Sequence, residues 1–281
     1  MDSPDNDLLN ALQRGDDRAI EELLQRYQAR IYRYGMKMCR DPEDAKDVLQ
    51  ETLLTMARSV RSFRGASSLS TWLYTIARSF CIKKHRKSKF APAAELSLSG
   101  VNPDHSGPIS ALSEQPDQVL SAKELGSHLN QAVQSLDPMY RDVLLLRDVE
   151  GLSAPEVAEV LGIRVDAVKS RLHRARLSVR EQMAPFFGIE SKPATAAPRN
   201  CPDVLTLFSR HLEDEIDPDI CKTMERHITE CSECRKDCES LQQTLSLCRS
   251  SAEDSVPTQV QESVRSAIRA FLQQRNVSDS L

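Results

Sequence analysis

The chain has 281 residues, with few Gly, 5% aromatic residues and a formal net charge of −4 at pH 7, and this length suits two or three small domains. Apolar residues recur at three- and four-residue spacings and nowhere alternate as in a strand, which predicts an all-helical protein. No apolar run approaches the roughly 20 residues of a membrane span, and the N-terminus lacks a signal pattern, so we expect a cytoplasmic protein with no membrane partner.

The first predicted domain covers residues 1 to 90. An apolar stripe from Ile20 to Met38 indicates one helix, Asp41 and Pro42 suit the start of a second, and a third begins near Leu69. Between residues 52 and 94 the chain has no Asp or Glu and carries only basic charges. This region is therefore suited to a polyanion such as DNA.

The second predicted domain, residues 119 to 186, follows a linker at residues 91 to 118 that is rich in Pro, Ser and Gly and is expected to be flexible. Ser153 and Glu156 form a capping box, and Gly162 suits the turn of a helix-turn-helix. The second helix of this motif has a basic outer face that fits a DNA major groove, although a solvated face on a structural helical hairpin would look the same. That face carries Arg164, Lys169, Ser170, Arg171, His173, Arg174 and Arg176.

The third predicted domain, residues 201 to 281, follows a second linker at residues 187 to 200. It is acidic and holds six of the eight cysteines, a crowding that favours metal or redox chemistry over disulfides in a cytosolic chain. His227, Cys231 and Cys234 have a spacing that brings three metal ligands together, unless they are simply reduced, buried cysteines. Three further cysteines could exchange with these ligands, bind a second metal or form a switching disulfide: Cys221, Cys238 and Cys248.

Two ordered sets of motifs resemble the extracytoplasmic-function sigma factors. Residues 136–153 read LDPMYRDVLLLRDVEGLS, which resembles the start of sigma region 4, and residues 168–176 read VKSRLHRAR, which resembles its recognition helix. Residues 41–51 read DPEDAKDVLQE, like region 2.2, while FRG at 63–65 and TWLYTIAR at 71–78 look like regions 2.3 and 2.4. From Cys201 through Cys234 the chain is similar to zinc-binding anti-sigma domains. Ser79 stands where many relatives have Asn. Because of this departure, the resemblance identifies the class of protein but does not predict which promoter sequence it recognises.

The resemblance implies a non-enzymatic promoter-specificity subunit with two small helical sigma domains, a flexible linker and a small helical metal-binding domain. Its implied partners are core RNA polymerase, through the β′ clamp and the β flap, and the −10 and −35 elements of promoter DNA. The resemblance is also compatible with a separate anti-sigma factor as a partner. The implied polymerase-binding residues, which a solvated helix face would also explain, are Asp44, Asp47, Gln50 and Glu51. The implied DNA-binding residues are Arg64, Ser67, Arg78, Ser79, Lys83, Lys84, Arg86 and Lys87 in region 2, and Arg164, Lys169, Ser170, Arg171, His173 and Arg174 in region 4. The implied ligands of one zinc ion, or of another metal such as copper, are Cys201, His227, Cys231 and Cys234.

Two other functions stay open at this point: a stand-alone helix-turn-helix regulator and a metal-sequestering adaptor. Stable association with core polymerase would distinguish both from a sigma factor. The sigma domains and the C-terminal segment have opposite charges, which favours regulation of promoter recognition by metal or redox state within one chain. Both inhibition and activation by the C-terminal segment stay open.

Overall fold

A computed structural model describes residues 4–14, 16–63, 65, 67–89, 116–189, 201–250 and 256–278. Within these ranges every regular element is helical, which confirms the expected all-helical fold, and no helix there is long and apolar enough to cross a membrane. Most of both predicted linkers lies outside the described residues. The chain divides into two compact units, one built chiefly from the N-terminal helices and the C-terminal helix, the other from the helices between them.

The first unit begins with four helices. They are α1 (Pro4–Arg14), α2 (Asp17–Cys39), α3 (Pro42–Ser59) and α4 (Leu69–Lys89). Asp41 caps α3 as predicted, since its side chain accepts a hydrogen bond from the backbone N–H of Asp44 at 2.9 Å. Gly35 lets α2 and α3 approach closely, because a Cβ at this position would lie 3.2 Å from the Cα of Ala45.

The C-terminal helix, α12 (Thr258–Ser278), belongs to the first unit and packs on α3. Val264 and Ile268 are buried, and Arg265 pairs with Glu21 of α2 at 2.9 Å. The guanidinium of Arg58 also lies 5.7 Å from the centre of the Phe271 ring. The third predicted domain, residues 201 to 281, is therefore divided in the structure, because the apolar stripe of α12 is buried against the N-terminal helices.

The second unit contains the predicted helix-turn-helix. Its elements here are α5 (Pro116–Ser135), α6 (Pro138–Leu144), a π-helical turn (Leu145–Val149), α7 (Ala154–Leu161), α8 (Val165–Met183) and a 3₁₀ turn (Ala184–Phe187). Arg141 is 1% exposed and donates hydrogen bonds to the backbone carbonyls of Val133, Gln134 and Leu136. This side chain thereby satisfies the C-terminal carbonyls of α5 and holds α6 against them.

The cysteine-rich segment completes the second unit with three helices. They are α9 (Val204–His211), α10 (Pro218–Glu230) and α11 (Ser232–Ser250). Val204, Cys234 and Cys238 form a small buried cluster, against which Phe208 and Ile228 pack. Both α9 and α11 contact α8, so the cysteine-rich segment lies directly on the second helix of the helix-turn-helix.

Candidate functional site

The helix-turn-helix is built by local interactions that were predicted. The backbone N–H of Ser153 donates to the Glu156 carboxylate at 2.9 Å, and the N–H of Glu156 donates to the Ser153 hydroxyl at 3.4 Å, so the capping box at the start of α7 is present. Gly162 has a φ of 65° in the turn, a left-handed conformation that glycine adopts without a steric penalty. Val168 and Leu172 are fully buried and fix which face of α8 points outward.

Four of the predicted DNA-binding residues remain accessible on α8 and at its N-terminus. Arg164, Ser170 and Arg174 are exposed, and Arg171 is half-buried. Arg164 pairs with Asp166 at 2.8 Å, but both side chains are more than three-quarters exposed, so this pair contributes little and can be exchanged for a phosphate. The four residues can therefore donate to a polyanion in this arrangement.

Lys169 and His173, two further predicted DNA-binding residues, contact the cysteine-rich segment instead. The Lys169 ammonium lies 3.3 Å from the backbone oxygen of Glu213 and 3.5 Å from the carboxylate of Glu215. The His173 Nε2 lies 3.3 Å from the Thr206 hydroxyl. Burial lowers the pKa of His173 below its ordinary value, which favours the neutral ring beside α9.

The prediction that Arg176 lies on the exposed face of α8 is wrong. It is 1% exposed, because two carboxylates enclose its guanidinium. Asp148 accepts from its Nε at 2.8 Å and its Nη2 at 2.6 Å, while Glu213 accepts from the same Nη2 at 2.7 Å. The other oxygen of Glu213 accepts from Arg147 at 3.0 Å. A carboxylate of the cysteine-rich segment thus completes a buried ion network within the helix-turn-helix domain.

A second ion pair joins α8 to α11. Arg180 donates to the carboxylate of Asp237 and, at 2.7 Å, to the hydroxyl of Ser240. Neither Glu213 nor Asp237 is among the functional residues predicted from the sequence. The available signal was the acidic run at residues 213 to 215, which is opposite in charge to α8.

In the first unit, two predicted polymerase-binding residues and one predicted DNA-binding residue contact each other. Lys84 of α4 pairs with Asp44 at 2.8 Å and with Asp47 at 2.5 Å on α3. Burial opposes the charge of Lys84, but the hydrogen bonds to these carboxylates outweigh it and raise the Lys84 pKa above its ordinary value. Of the remaining predicted polymerase-binding residues, Glu51 is exposed and Gln50 is half-buried.

The other predicted DNA-binding residues of the first unit are distributed along α4 and the loop before it. Ser79 and Lys83 are exposed, while Ser67 and Arg78 are half-buried. The side chains of Arg64, Arg86 and Lys87 lie outside the described residues. Trp72 stacks on Phe63 with ring centroids 4.4 Å apart, so its ring packs within the protein.

The structure brings the four predicted metal ligands together. The ligand atoms of Cys201, His227, Cys231 and Cys234 all lie within 4.8 Å of one another. The Cys201 and Cys231 sulfurs are 3.9 Å apart, and His227 Nε2 is 3.2 Å from the Cys234 sulfur. His227 lies in the last turn of α10, Cys231 is the C-cap of that helix and Cys234 lies in the first turn of α11, so local helix geometry supplies three of the four positions.

The donor set fits a metal ion of borderline softness. Burial, together with the neighbouring Cys201 and Cys231 thiols, raises the pKa of the Cys234 thiol to about 12. The backbone N–H and the thiol of Cys234 lower the pKa of Cys231. Three adjacent thiols cannot readily all ionise without a cation among them. Three sulfurs and one imidazole are ligands that form closed tetrahedral sites, so the cluster can hold a metal.

The remaining cysteines of the segment have different environments. Cys238 and Cys248 are buried, and burial raises the pKa of Cys238 to about 11. Cys221 is half-exposed, and its sulfur lies 3.5 Å from Nδ1 of His211 and 3.6 Å from a carboxylate oxygen of Glu225. Cys238 packs beside Cys234 of the four-residue cluster, whereas Cys221 lies beside His211 and Glu225, two potential metal ligands outside that cluster.

Known protein families match all three parts of the chain. Family models described as "Sigma-70 region 2", "Sigma-70, region 4" and "Putative zinc-finger" match residues 23–90, 128–179 and 201–235. The chain is 34% identical to RNA polymerase sigma factor YlaC of Bacillus subtilis over 59% of its own length and 92% of that protein. It is 29% identical to ECF RNA polymerase sigma factor SigW of the same organism, over 62% and 94%. The solved structure of CnrH in complex with the cytosolic domain of CnrY covers 67% of this chain and 100% of that one, at 24% identity and a TM-score of 0.45.

Proposed function

Because the chain belongs to the extracytoplasmic-function group of sigma-70 RNA polymerase sigma factors, we propose that its cysteine-rich segment regulates promoter recognition within the same chain. As a sigma factor, the chain directs RNA polymerase to specific promoters, and the polymerase carries out the chemistry. Its place of action is the cytoplasm, where it meets core polymerase and promoter DNA. The region-2 match does not favour a stand-alone regulator or a metal-sequestering adaptor, since neither needs that domain.

The two sigma domains divide the work of promoter binding. In region 2, the accessible residues Gln50 and Glu51 on α3 bind the β′ clamp, while exposed Ser79 and Lys83 on α4 bind the −10 element. The carboxylates of Asp44 and Asp47 join the clamp interface only by sharing or releasing Lys84. In region 4, α8 enters the major groove of the −35 element, with positively charged donors directed at phosphates and guanine edges.

The cysteine-rich segment holds one zinc ion through Cys201, His227, Cys231 and Cys234. Zinc suits a closed site of three thiolates and one imidazole, and copper(I) is the alternative that thiolates also favour. A structural zinc ion in a small module contributes on the order of 10–16 kcal/mol to folding. Metal loss is therefore large enough to unfold the segment that lies on α8.

The insertion of Glu213 into the Arg176–Asp148 pair is the observation that carries the regulatory proposal. An acidic residue from outside the helix-turn-helix domain is 8% exposed there, and burial of a carboxylate is costly unless it is paired as closely as this one. The same contact surface uses Lys169 and His173, which bare region 4 would offer to DNA. Docking of the metal-bound segment therefore weakens −35 recognition, and its release strengthens recognition.

Transcription reconstituted with core polymerase tests both parts of the proposal. The template library is randomised at the −35 and −10 positions, and the full chain is compared with Cys231→Ala, which lacks one metal ligand. Cys39→Ala, in α2 of the first unit, is the matched control for the loss of a cysteine. We expect initiation from one defined −35/−10 pair by all three proteins, with more transcript from Cys231→Ala.

The possible failures separate the two claims. If no protein initiates and none remains bound to core polymerase, the sigma assignment is wrong. If all three initiate equally well, with and without a chelator, the chain is a sigma factor but its cysteine-rich segment does not regulate it through a metal.

A further inference from the structure

A second group of potential metal ligands lies in the cysteine-rich segment, away from the four-residue cluster. His211 is in the last turn of α9, Cys221 is in the first turn of α10, and Glu225 follows one turn later. The Cys221 sulfur is 3.5 Å from Nδ1 of His211 and 3.6 Å from Oε1 of Glu225. None of these residues belongs to the cluster around Cys234.

These distances correspond to the edges of a tetrahedral metal site. Zinc bonds to sulfur are about 2.3 Å long and those to imidazole nitrogen or carboxylate oxygen about 2.0–2.2 Å, so sulfur–nitrogen and sulfur–oxygen edges are about 3.5 Å. Both observed distances agree with that value. His211 and Glu225 are exposed side chains, so rotation of either one can adjust the third edge without moving the backbone.

We propose that His211, Cys221 and Glu225 form a second metal site, which binds a divalent ion such as zinc. The ion bonds to Nδ1, Sγ and a carboxylate oxygen, the Cys221 thiol proton is released to solvent, and a water molecule completes the coordination. Only one thiolate contributes and the site is open to solvent. It therefore binds metal less tightly, and exchanges it faster, than the closed Cys3His cluster.

An ion at this site would join the two ends of the loop between α9 and α10. That loop carries Glu213 and Glu215, whose contacts with Arg176 and Lys169 attach the segment to α8. Fixing the loop ends stabilises the docked arrangement, which makes the second site the responsive one while the first maintains the fold. This link to promoter recognition rests on the proposed function, whereas the existence of the site does not.

Titration of the reduced, metal-free full chain with Co²⁺, followed by absorption, tests the site. We expect a tight equivalent and a second, weaker one in the wild type. Cys221→Ala and His211→Gln should both lose the second equivalent and keep the spectrum of the first. Cys39→Ala, which removes a cysteine from the first unit, should bind both equivalents.

Three outcomes would overturn the second site: a single equivalent in the wild type, two equivalents in Cys221→Ala, or a changed first spectrum in that variant. A changed first spectrum in Cys221→Ala would show that Cys221 belongs to the tight cluster. A single equivalent in the wild type would show that a hydrogen bond alone holds Cys221 and His211 together. Binding of −35 DNA is measured in parallel, where the second equivalent of Zn²⁺ should weaken wild-type binding but not Cys221→Ala. Two Co²⁺ equivalents without this effect would retain the site and refute only its link to docking.

Discussion

Replacing Glu213 with Gln should release the cysteine-rich segment from α8 and raise the affinity of the full chain for −35 DNA. The variant weakens charged hydrogen bonds to Arg176 and Arg147, each of which contributes about 1.5–3 kcal/mol. The bond to Arg147 is discounted for solvent screening, since that side chain is 28% exposed. Arg176 keeps its partner Asp148, so no buried cation is left unpaired. We therefore expect docking to lose about 2–4 kcal/mol, a shift of roughly 30- to 1,000-fold in the docking equilibrium.

Fluorescence anisotropy with a −35 duplex measures this effect at fixed salt, because phosphate contacts make the affinity salt-dependent. The apparent affinity should rise until the undocked form predominates, since a partly populated competent form binds in proportion to its fraction. Asp214→Asn removes an equal charge from the neighbouring exposed residue and controls for simple repulsion of DNA. Equal affinities for Glu213→Gln and Asp214→Asn would refute a specific role of the buried carboxylate.

Three other perturbations test separate parts of the structure. The pKa of His173 is lowered in the docked state, so the docked state binds fewer protons than the undocked one. Docking should therefore be strongest above the ordinary histidine pKa and weaken as the pH falls from about 7.5 to about 5.5. The variant His173→Gln should remove this component of the pH dependence of DNA binding. Arg141→Met leaves carbonyls at the end of α5 without their donor and should destabilise region 4 by about 2–4 kcal/mol, seen as faster hydrogen exchange there. Ile268→Asp places a charge in the buried face of α12 and should expose this helix to protease, whereas exposed Ser266→Asp should not; equal cleavage would contradict the packing described for α12.

The sequence predicted the parts of the fold that depend on neighbours within a few residues. Asp41 and Asp44, or Ser153 and Glu156, are three residues apart, so the backbone of a starting helix alone brings them into contact. The same holds for His227, Cys231 and Cys234, which span one helix end and the next turn. Cys201 depended on family resemblance, because its position beside them is set by the tertiary packing of α9.

Burial of basic residues was less predictable, because it depends on partners far away in the sequence. Arg176 finds Asp148 twenty-eight residues earlier and Glu213 thirty-seven residues later. One local signal was available: Arg176 follows Leu172 by four residues and precedes Val179 by three, and both are buried, so its position on the inner flank of α8 was readable. The interaction with Glu213 had no such signal and required the packing of the cysteine-rich segment.

The spacing of contacts along α8 determines how strongly docking can interfere with DNA. Lys169, His173, Arg176 and Arg180 follow one another at four, three and four residues and so form one stripe. Arg164, Ser170 and Arg174 lie on a different side and stay exposed. The segment therefore lies beside the groove-reading face and takes Lys169 from it, so docking should weaken −35 binding without abolishing it. Releasing the segment by Glu213→Gln should also steepen the dependence of log affinity on log salt by about one phosphate contact. An unchanged slope with a higher affinity would mean that Lys169 does not reach DNA, and that docking acts only through the acidic charge that it brings to the groove.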